Sequence, residues 1–231
     1  MLSNVTLDAI LPGHGASDYE RYLRTDELLS LQKTPEEMNH RDELLFTTVH
    51  QTSELWLKLA TFEVEAAADG DLDGALRSLR RAHLCLRFVT DALVMLEQMS
   101  PWEFHEVRSQ LGHGAGFDSP GFKRLHALAP RLWDRFTREL GDLPLRELYV
   151  HGREHERLYQ LAEALIELDE RVATWRQRHV TMVERIIGGG VIGTRGTPVE
   201  VLRKLLDERW FPRLWDVRND LTALAGTSPR L

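Results

Sequence analysis

Apolar residues recur at spacings of three and four along most of the chain, and no stretch of strict apolar and polar alternation reaches the length of a strand. This periodicity places apolar side chains on one face of successive helices. The sequence therefore predicts an all-α fold in which helices pack on helices. With 231 residues, of which 42% are hydrophobic, the chain is long enough to bury a sizeable core as a single domain over residues 1–231.

Turn residues divide this pattern into helices. The first long helix is predicted to begin at Asn39, as its N-cap, and to end near Asp69, while the second ends before Pro101. A short turn joins the two helices, so they are expected to lie antiparallel. The side chains predicted to be buried are Leu45, Val49, Thr52, Trp56, Leu59 and Glu63 in the first helix and Leu72, Leu76, Leu79, His83, Leu86, Thr90, Leu93 and Leu96 in the second.

The longest periodic segment runs from Leu145 to Ile187 and is predicted to form one helix. Consecutive glycines at 188–190 follow it, and a glycine-rich segment at 193–198 precedes a last helical region around Trp215. The side chains predicted to be buried in the long helix are Leu158, Leu161, Leu165, Leu168, Val172, Trp175, His179, Met182 and Ile186.

Composition narrows the classes of partner. The net charge is -7 and basic residues are interspersed with acidic ones, so no positive face for a nucleic acid is predicted. No apolar run is long enough to span a bilayer, and residues 1–15 do not resemble a secretory leader, which predicts a cytoplasmic protein without a membrane partner. Cys85 is the single cysteine, so the sequence excludes an internal disulfide and contains no C-x-x-C-H motif for covalent haem.

His179 lies on the predicted buried stripe of the longest helix, one turn after Trp175. An unpaired imidazole in such a position costs roughly 1–3 kcal/mol, so the ring needs a partner. That partner is either a side chain or carbonyl of the core, or the iron of a haem, for which a neutral imidazole on a rigid helix is a common axial ligand. Position alone leaves both alternatives open.

Two further side chains are candidates for ligand binding. His50 shares a helix face with Phe46, Ser53 and Leu57, which combines an apolar surface with one polar ring, as a site for an aromatic ligand does. Arg108 directly precedes a glycine-rich stretch, where its guanidinium is suited to a carboxylate. Ordinary packing is the alternative for His50, and a surface salt bridge is the alternative for Arg108.

Other metal sites fit the sequence less well. His151 and His155 are four residues apart and would share one helix face, but they do not follow the H-E-x-x-H order. A carboxylate-bridged di-iron site requires two Glu-x-x-His pairs on different helices, and the chain has one, Glu37 with His40. A di-iron bundle is therefore disfavoured.

Several separated blocks of the sequence resemble the tryptophan 2,3-dioxygenase family. The most specific is the run from His50 to Leu59, HQTSELWLKL, which is preceded by DELLF at 42–46. The other blocks are Tyr19–Leu23, Phe104–Arg108, Ala115–Ser119, Trp175–Gly188 and Phe211–Trp215. The resemblance implies a helical bundle with a haem pocket between long helices.

On the haem side, the resemblance implies that His179 is the axial ligand of the iron of a haem b. Gly116 would bring its backbone close to the oxygen site. Ala115, Phe104 and Trp102 would contact the haem.

On the substrate side, the resemblance implies that His50 is the catalytic residue that hydrogen-bonds the indole N–H, and that Phe46 packs on the indole. Arg108 would bind the carboxylate of the amino acid. Thr194, in a loop slightly shifted relative to that of the family, would meet the ammonium group.

The resemblance also implies a homotetramer with shared pockets. Residues 1–35 would form an N-terminal segment that reaches into the site of a neighbouring subunit. Tyr19 and Tyr22 would be its contacts with the substrate.

The implied activity is that of a haem-dependent oxidoreductase of tryptophan catabolism, in which O2 is used to open the indole ring of L-tryptophan to N-formylkynurenine in the kynurenine pathway. A related haem-dependent mono- or dioxygenase of specialised metabolism, acting on a substituted tryptophan or another aromatic amino acid, is the first alternative. A helical interaction module without catalysis is the second.

Departures from the family concern the pocket. Family members usually carry Tyr at the position of Phe104, Ser at that of Ala115 and Gln at that of Asp118. The section between Arg124 and His179 is shorter than usual, so a small helical excursion is predicted to be missing. Such changes would open the pocket to a methylated or otherwise altered tryptophan.

Overall fold

The structure is a computed structural model that describes residues 8–112, 116–190 and 199–227. These residues contain ten α-helices and no β-strand, which confirms the predicted all-α class. The helices are α1 (Asp18–Leu23), α2 (Thr25–Leu29), α3 (Asp42–Asp69), α4 (Leu72–Leu96), α5 (Pro101–Ser109), α6 (Pro120–Leu140), α7 (Leu145–Val150), α8 (Glu156–Ile187), α9 (Val199–Lys204) and α10 (Pro212–Thr227). None of these helices is long and apolar enough to cross a membrane.

Helices α3 and α4 form the predicted antiparallel pair. Trp56 lies against Phe88, and Glu63 pairs with Arg81, so position along α3 rises as position along α4 falls. Asp71 caps α4 by accepting a backbone N–H of its first turn at 2.6 Å. The most extensive helix–helix contacts are those of α3 with α4 and of α4 with α8, so these three helices form the framework of the bundle.

The predicted start of the first long helix at Asn39 is wrong, because α3 begins at Asp42. The Glu43 carboxylate accepts the backbone N–H groups of Asn39 at 2.7 Å and of His40 at 3.2 Å. It also pairs with Lys33 at 2.5 Å, and that ammonium group holds the pKa of Glu43 below its usual range. The Nδ1 of His40, rather than the side chain of Asn39, accepts the backbone N–H of Asp42 at 3.2 Å.

The main hydrophobic core lies between α3, α4, α6 and α8. The predicted buried face of α4 is confirmed except that Leu72 and Thr90 are half-buried. On α3 the prediction is partly wrong, since Thr52, Trp56 and Leu59 lie at the surface. The buried face of α3 instead follows its small residues, which let neighbouring helices approach closely. The apolar residues of that face are Leu57, Ala60, Val64, Ala67 and Ala68.

The periodic segment predicted as one helix from Leu145 onward is two helices, α7 and α8, so this prediction is wrong. The chain turns at 151–155, where Gly152 lies so close to Tyr159 that a Cβ would be 3.1 Å from its ring. Tyr149 of α7 meets the same ring edge-on, with centroids 5.5 Å apart. These contacts fold α7 back on the start of α8. The sequence does not reveal the turn, because the helical spacing of apolar residues continues through residues 151–155.

A second, smaller core lies where α3 begins and α8 ends. Helix α5 closes this end of the bundle by packing against both α3 and α8. The buried residues of this core are Val49, Leu93, Leu96, Met99, Val107, Met182 and Ile186. It brings the first half of α3, α5 and the last turns of α8 around one region.

The last helical region is fastened to α8 by a buried carboxylate. Asp169 accepts the N–H groups of Trp210 at 2.8 Å and Phe211 at 3.1 Å, and the indole N–H of Trp215 at 3.0 Å. Phe211 is fully buried. The predicted helix around Trp215 is thereby confirmed as α10, anchored at its entry.

Candidate active site

On α3, His50 and Phe46 form one wall of the candidate site. Their rings stack with centroids 4.0 Å apart, and His50 Nδ1 lies 2.7 Å from the carbonyl oxygen of Phe46. A carbonyl can only accept, so Nδ1 carries the proton and Nε2 keeps the lone pair when the ring is neutral. Desolvation lowers the pKa of His50, although its side chain is partly accessible. His50 therefore presents a hydrogen-bond acceptor at Nε2.

On α8, His179 stacks on Trp175, with ring centroids 4.9 Å apart and planes 9° from parallel. Burial, together with the nearby His50, lowers the pKa of His179 to about 4. Its ring makes no hydrogen bond to any residue that the structure describes. A neutral imidazole with an available lone pair is the form that binds a metal.

Gly116 brings the backbone to the nitrogen edge of this imidazole. A Cβ at position 116 would lie 3.5 Å from Nε2 and 3.6 Å from Cε1 of His179. The glycine thus leaves unfilled the space that a side chain would occupy beside the ring nitrogen.

Helix α5 forms a third wall. Phe104 is half-buried, and its ring centroid lies 6.2 Å from that of Phe46. Val107 is buried in the smaller core and so fixes the rotation of α5. Arg108 follows it and is half-buried. The structure therefore brings Phe104 and Phe46 together and places Arg108 on the same short helix.

Glu54 is a site residue that the sequence does not single out. It lies one helical turn after His50, and its carboxylate accepts the Ser119 hydroxyl at 2.5 Å and the Gly121 N–H at 3.0 Å. A carboxylate four residues after a candidate histidine is the one signal available in the sequence. Its partners, more than 60 residues away in the chain, are not visible there.

Three predicted site residues lie at the surface of the chain. Trp102 is 78% exposed, Tyr19 is 69% exposed and Tyr22 is 78% exposed. Their contacts with a haem or with a neighbouring subunit stay predictions. Ala115 and Thr194 lie outside the described residues.

The alternative histidine pair is not assembled into a metal site. The turn at 151–155 removes the helix face that His151 and His155 were predicted to share. His151 instead lies 3.5 Å from the carboxylates of Glu147 and Glu154 at the surface. Across the described ranges, no three His, Cys, Asp or Glu side chains are grouped so that they would hold a metal ion.

Comparison with known proteins identifies the family of the chain. The family model described as tryptophan 2,3-dioxygenase matches residues 10–135 and 140–221. The chain belongs to the tryptophan 2,3-dioxygenase family. The tryptophan 2,3-dioxygenase of Burkholderia ambifaria (strain MC40-6) is 34% identical, over 93% of this chain and 87% of the relative. Those of Myxococcus xanthus and Caulobacter vibrioides are 32% and 35% identical, over 90% and 88% of this chain and 91% and 98% of their own.

Within the tryptophan 2,3-dioxygenase family this chain is short. Its alignment with the Burkholderia protein runs over 272 residues, more than the 231 residues of the chain, so the relative contains residues that this chain lacks. The family match is interrupted at 136–139, in the last turns of α6. This position falls in the section between Arg124 and His179 that is predicted to be shortened.

The residues of this family member fit a haem held by one axial imidazole. His179 offers a neutral ring nitrogen without a hydrogen-bond partner in the described chain. Gly116 places its backbone beside that nitrogen, and Trp175 provides a flat aromatic neighbour. A single imidazole donor without a surrounding carboxylate or thiolate set is typical of a haem site rather than of a zinc or calcium site.

Proposed function

We propose that this family member is a haem-dependent dioxygenase that opens the indole ring of L-tryptophan to N-formylkynurenine. The observation that carries the proposal is that two neutral imidazoles, His50 on α3 and His179 on α8, lie close together around the smaller core. His179 has no hydrogen-bond partner among the described residues, and His50 lies close enough to lower the pKa of His179. One ring is suited to iron and the other to the substrate.

His179 would hold the iron of a haem b, and Gly116 and Phe104 would lie beside the bound group. Because burial holds the pKa of His179 at about 4, protons do not compete with iron for its lone pair near neutral pH. When bound, the haem supplies the chemistry of dioxygen.

The remaining side chains are proposed to bind and orient tryptophan. The carbonyl of Phe46 holds the proton of His50 on Nδ1, so Nε2 is available to accept the indole N–H. The ring of Phe46 would pack on the indole, and Arg108 would bind the carboxylate through its guanidinium. Tryptophan held at both ends reacts in one orientation, which lowers the entropic part of the barrier.

The decisive experiment measures the mass of the product. Reduced, haem-loaded enzyme would be incubated with L-tryptophan and O2, and a gain of two oxygen atoms is expected. His50→Ala is the matched variant, which should keep its haem and lose rate. A protein that shows no Soret band after haem reconstitution would contradict the proposal and favour a non-catalytic helical module.

One observation favours a second substrate class. Phe104, which lies beside Phe46, has no hydroxyl to offer a polar substrate group, whereas the family usually has Tyr at this position. A methylated or otherwise substituted tryptophan would be accepted more easily in such a pocket. The same experiment with methylated analogues tests this: turnover of an analogue in preference to L-tryptophan, or a gain of one oxygen atom, would favour the related oxygenase.

We further propose a homotetramer in which residues 1–35 complete the site of a neighbouring subunit. Tyr19, Tyr22 and Leu29 expose large side chains that a partner would cover. Light scattering would measure the mass in solution, and a fully active monomer would contradict this proposal. Location in the cytoplasm stays a prediction.

A further inference from the structure

Glu54 links the helix that carries His50 to the segment that carries Gly116. Its Oε1 accepts the hydroxyl of Ser119 at 2.5 Å, and its Oε2 accepts the backbone N–H of Gly121 at 3.0 Å. Both oxygens of one half-buried carboxylate are thus used at the entry of α6. Hydrogen bonds to a carboxylate are stronger than those between neutral groups.

The contact is continued along the chain to Gly116. The Ser119 hydroxyl also accepts the N–H of Phe122 and so caps α6, at 3.2 Å. The backbone N–H of Ser119 donates to the carbonyl of Gly116 at 3.3 Å. Glu54 is therefore two hydrogen bonds away from the glycine that lies beside His179.

Close packing supports the same link. A Cβ on Gly121 would lie 2.5 Å from Leu57 Cβ and 2.8 Å from Glu54 Oε2, distances that no side chain tolerates. The backbone at the entry of α6 is thus seated directly on α3. Only glycine allows both this approach and the hydrogen bond from residue 121.

We propose that Glu54 is a positioning residue whose carboxylate fixes the segment from Gly116 to Gly121 on α3, and thereby sets the distance between the Gly116 backbone and His50. This inference rests on the proposed function for its effect on the reaction, though not for the contact itself. The proposed iron ligand, His179, is on α8 and is not held by Glu54, so the haem is expected to stay bound when Glu54 is replaced. Misplacement of groups around a reacting substrate lowers the rate even when the substrate still binds.

The test compares Glu54→Ala with Glu63→Ala in the haem-loaded enzyme. Glu63 is a matched control, since it is another carboxylate of the same helix α3 with a partner elsewhere in the chain. It is buried and paired with Arg81. Glu54→Ala should raise hydrogen exchange of the amides at 116–121 roughly tenfold or more and lower kcat by a similar factor, with haem content unchanged. Glu63→Ala should leave exchange at 116–121 and kcat near those of the wild type.

Two further variants keep the proposal testable if Glu54→Ala folds poorly. Glu54→Gln retains an oxygen that can accept the Gly121 N–H and should restore most of the exchange protection and of kcat. Gly121→Ala retains the carboxylate but displaces the backbone, so it should reproduce the defects of Glu54→Ala. Unchanged exchange at 116–121 in Glu54→Ala or in Gly121→Ala, or equal defects in Glu63→Ala, would overturn the proposal. Because exchange needs no turnover, it decides the role of Glu54 even if the wild type does not oxidise tryptophan.

Discussion

His83 of α4 and His179 of α8 both lie on the inward face of a long helix. They lie in different parts of the bundle, and they differ in the hydrogen-bond partners of their imidazole rings. Around His83 in the main core, Nε2 lies 3.0 Å from the Ala164 carbonyl, while Nδ1, 3.2 Å from the Glu167 carboxylate, makes no hydrogen bond. Around the smaller core, next to His50, the His179 ring has no hydrogen-bond partner within the described residues.

Burial alone does not distinguish these two histidines. Desolvation lowers the pKa of both, so each ring favours its neutral form. What differs is that His83 keeps one hydrogen bond, to the Ala164 carbonyl, whereas the His179 ring makes none to the described residues. A neutral imidazole that makes no hydrogen bond to the described residues keeps a lone pair for a metal. The candidate site is therefore marked by the lone pair of His179 together with its neighbours Trp175 and Gly116.

The largest expected effect tests this contrast directly. His179→Ala should abolish stable haem binding, because it removes the proposed axial ligand, whereas His83→Ala should keep the haem and lose about 1–3 kcal/mol of the free energy of unfolding. Soret absorbance and urea denaturation measure the two effects. A His179→Ala protein with an unaltered histidine-ligated spectrum would show that the ligand has been misassigned.

The next largest effect concerns the anchoring of α10 on α8 by Asp169. Asp169→Ala would leave the buried donors of Trp210, Phe211 and Trp215 without an acceptor, so the free energy of unfolding should fall by about 3–5 kcal/mol with unchanged haem affinity. Asp69→Ala, which breaks the exposed pair with Arg131, is the control and should cost under about 1 kcal/mol. Equal losses in the two variants would mean that Asp169 does not anchor α10.

Arg108, in the candidate site, is expected to affect substrate binding rather than the stability of the fold. Arg108→Ala should weaken tryptophan binding by about 2–4 kcal/mol, because a bidentate contact with the carboxylate would be lost. Arg131→Ala is the control, because Arg131 pairs with Asp69 at the far end of α3 from His50. It should leave tryptophan binding unchanged. Titration calorimetry with L-tryptophan compares the two variants, and an unchanged dissociation constant for Arg108→Ala would remove that residue from the site.

The smallest effect is a change in the pH dependence of stability. The pKa of His83 is lowered by burial, so below the ordinary histidine value of about 6.5 the unfolded chain binds more protons than the folded one. Stability should therefore fall as pH decreases from that value, and less steeply in His83→Ala than in the wild type. Urea denaturation between about pH 6.5 and 5 measures both slopes. Parallel curves would show that His83 does not contribute.

The same contrast explains how much of the fold the sequence predicts. The inward faces of α4 and α8 follow from apolar spacing, because every turn of a long helix repeats the signal. The break between α7 and α8 does not, since it depends on Gly152 and on the packing of Tyr149 against Tyr159. The start of α3 was misplaced for a similar reason: the Glu43 carboxylate reaches back to the Asn39 N–H.

The site is predicted in the same uneven way. His50, Phe46 and His179 are found from their motifs and faces, and the structure brings them into one region. Glu54 is not found, because its hydrogen bonds to Ser119 and Gly121 join segments far apart in the chain. A residue whose role lies in a long-range contact carries no local signal.

The sequence by itself determined the helical class, the inward face of α4 and the membership of the family, because these depend on periodicity and on local residue order. Only the tertiary structure decided which buried histidine keeps a protein partner and which lacks one, and which carboxylate holds the glycine segment beside it. Those outcomes depend on distances between atoms of different helices, and such distances exist only after the helices have packed.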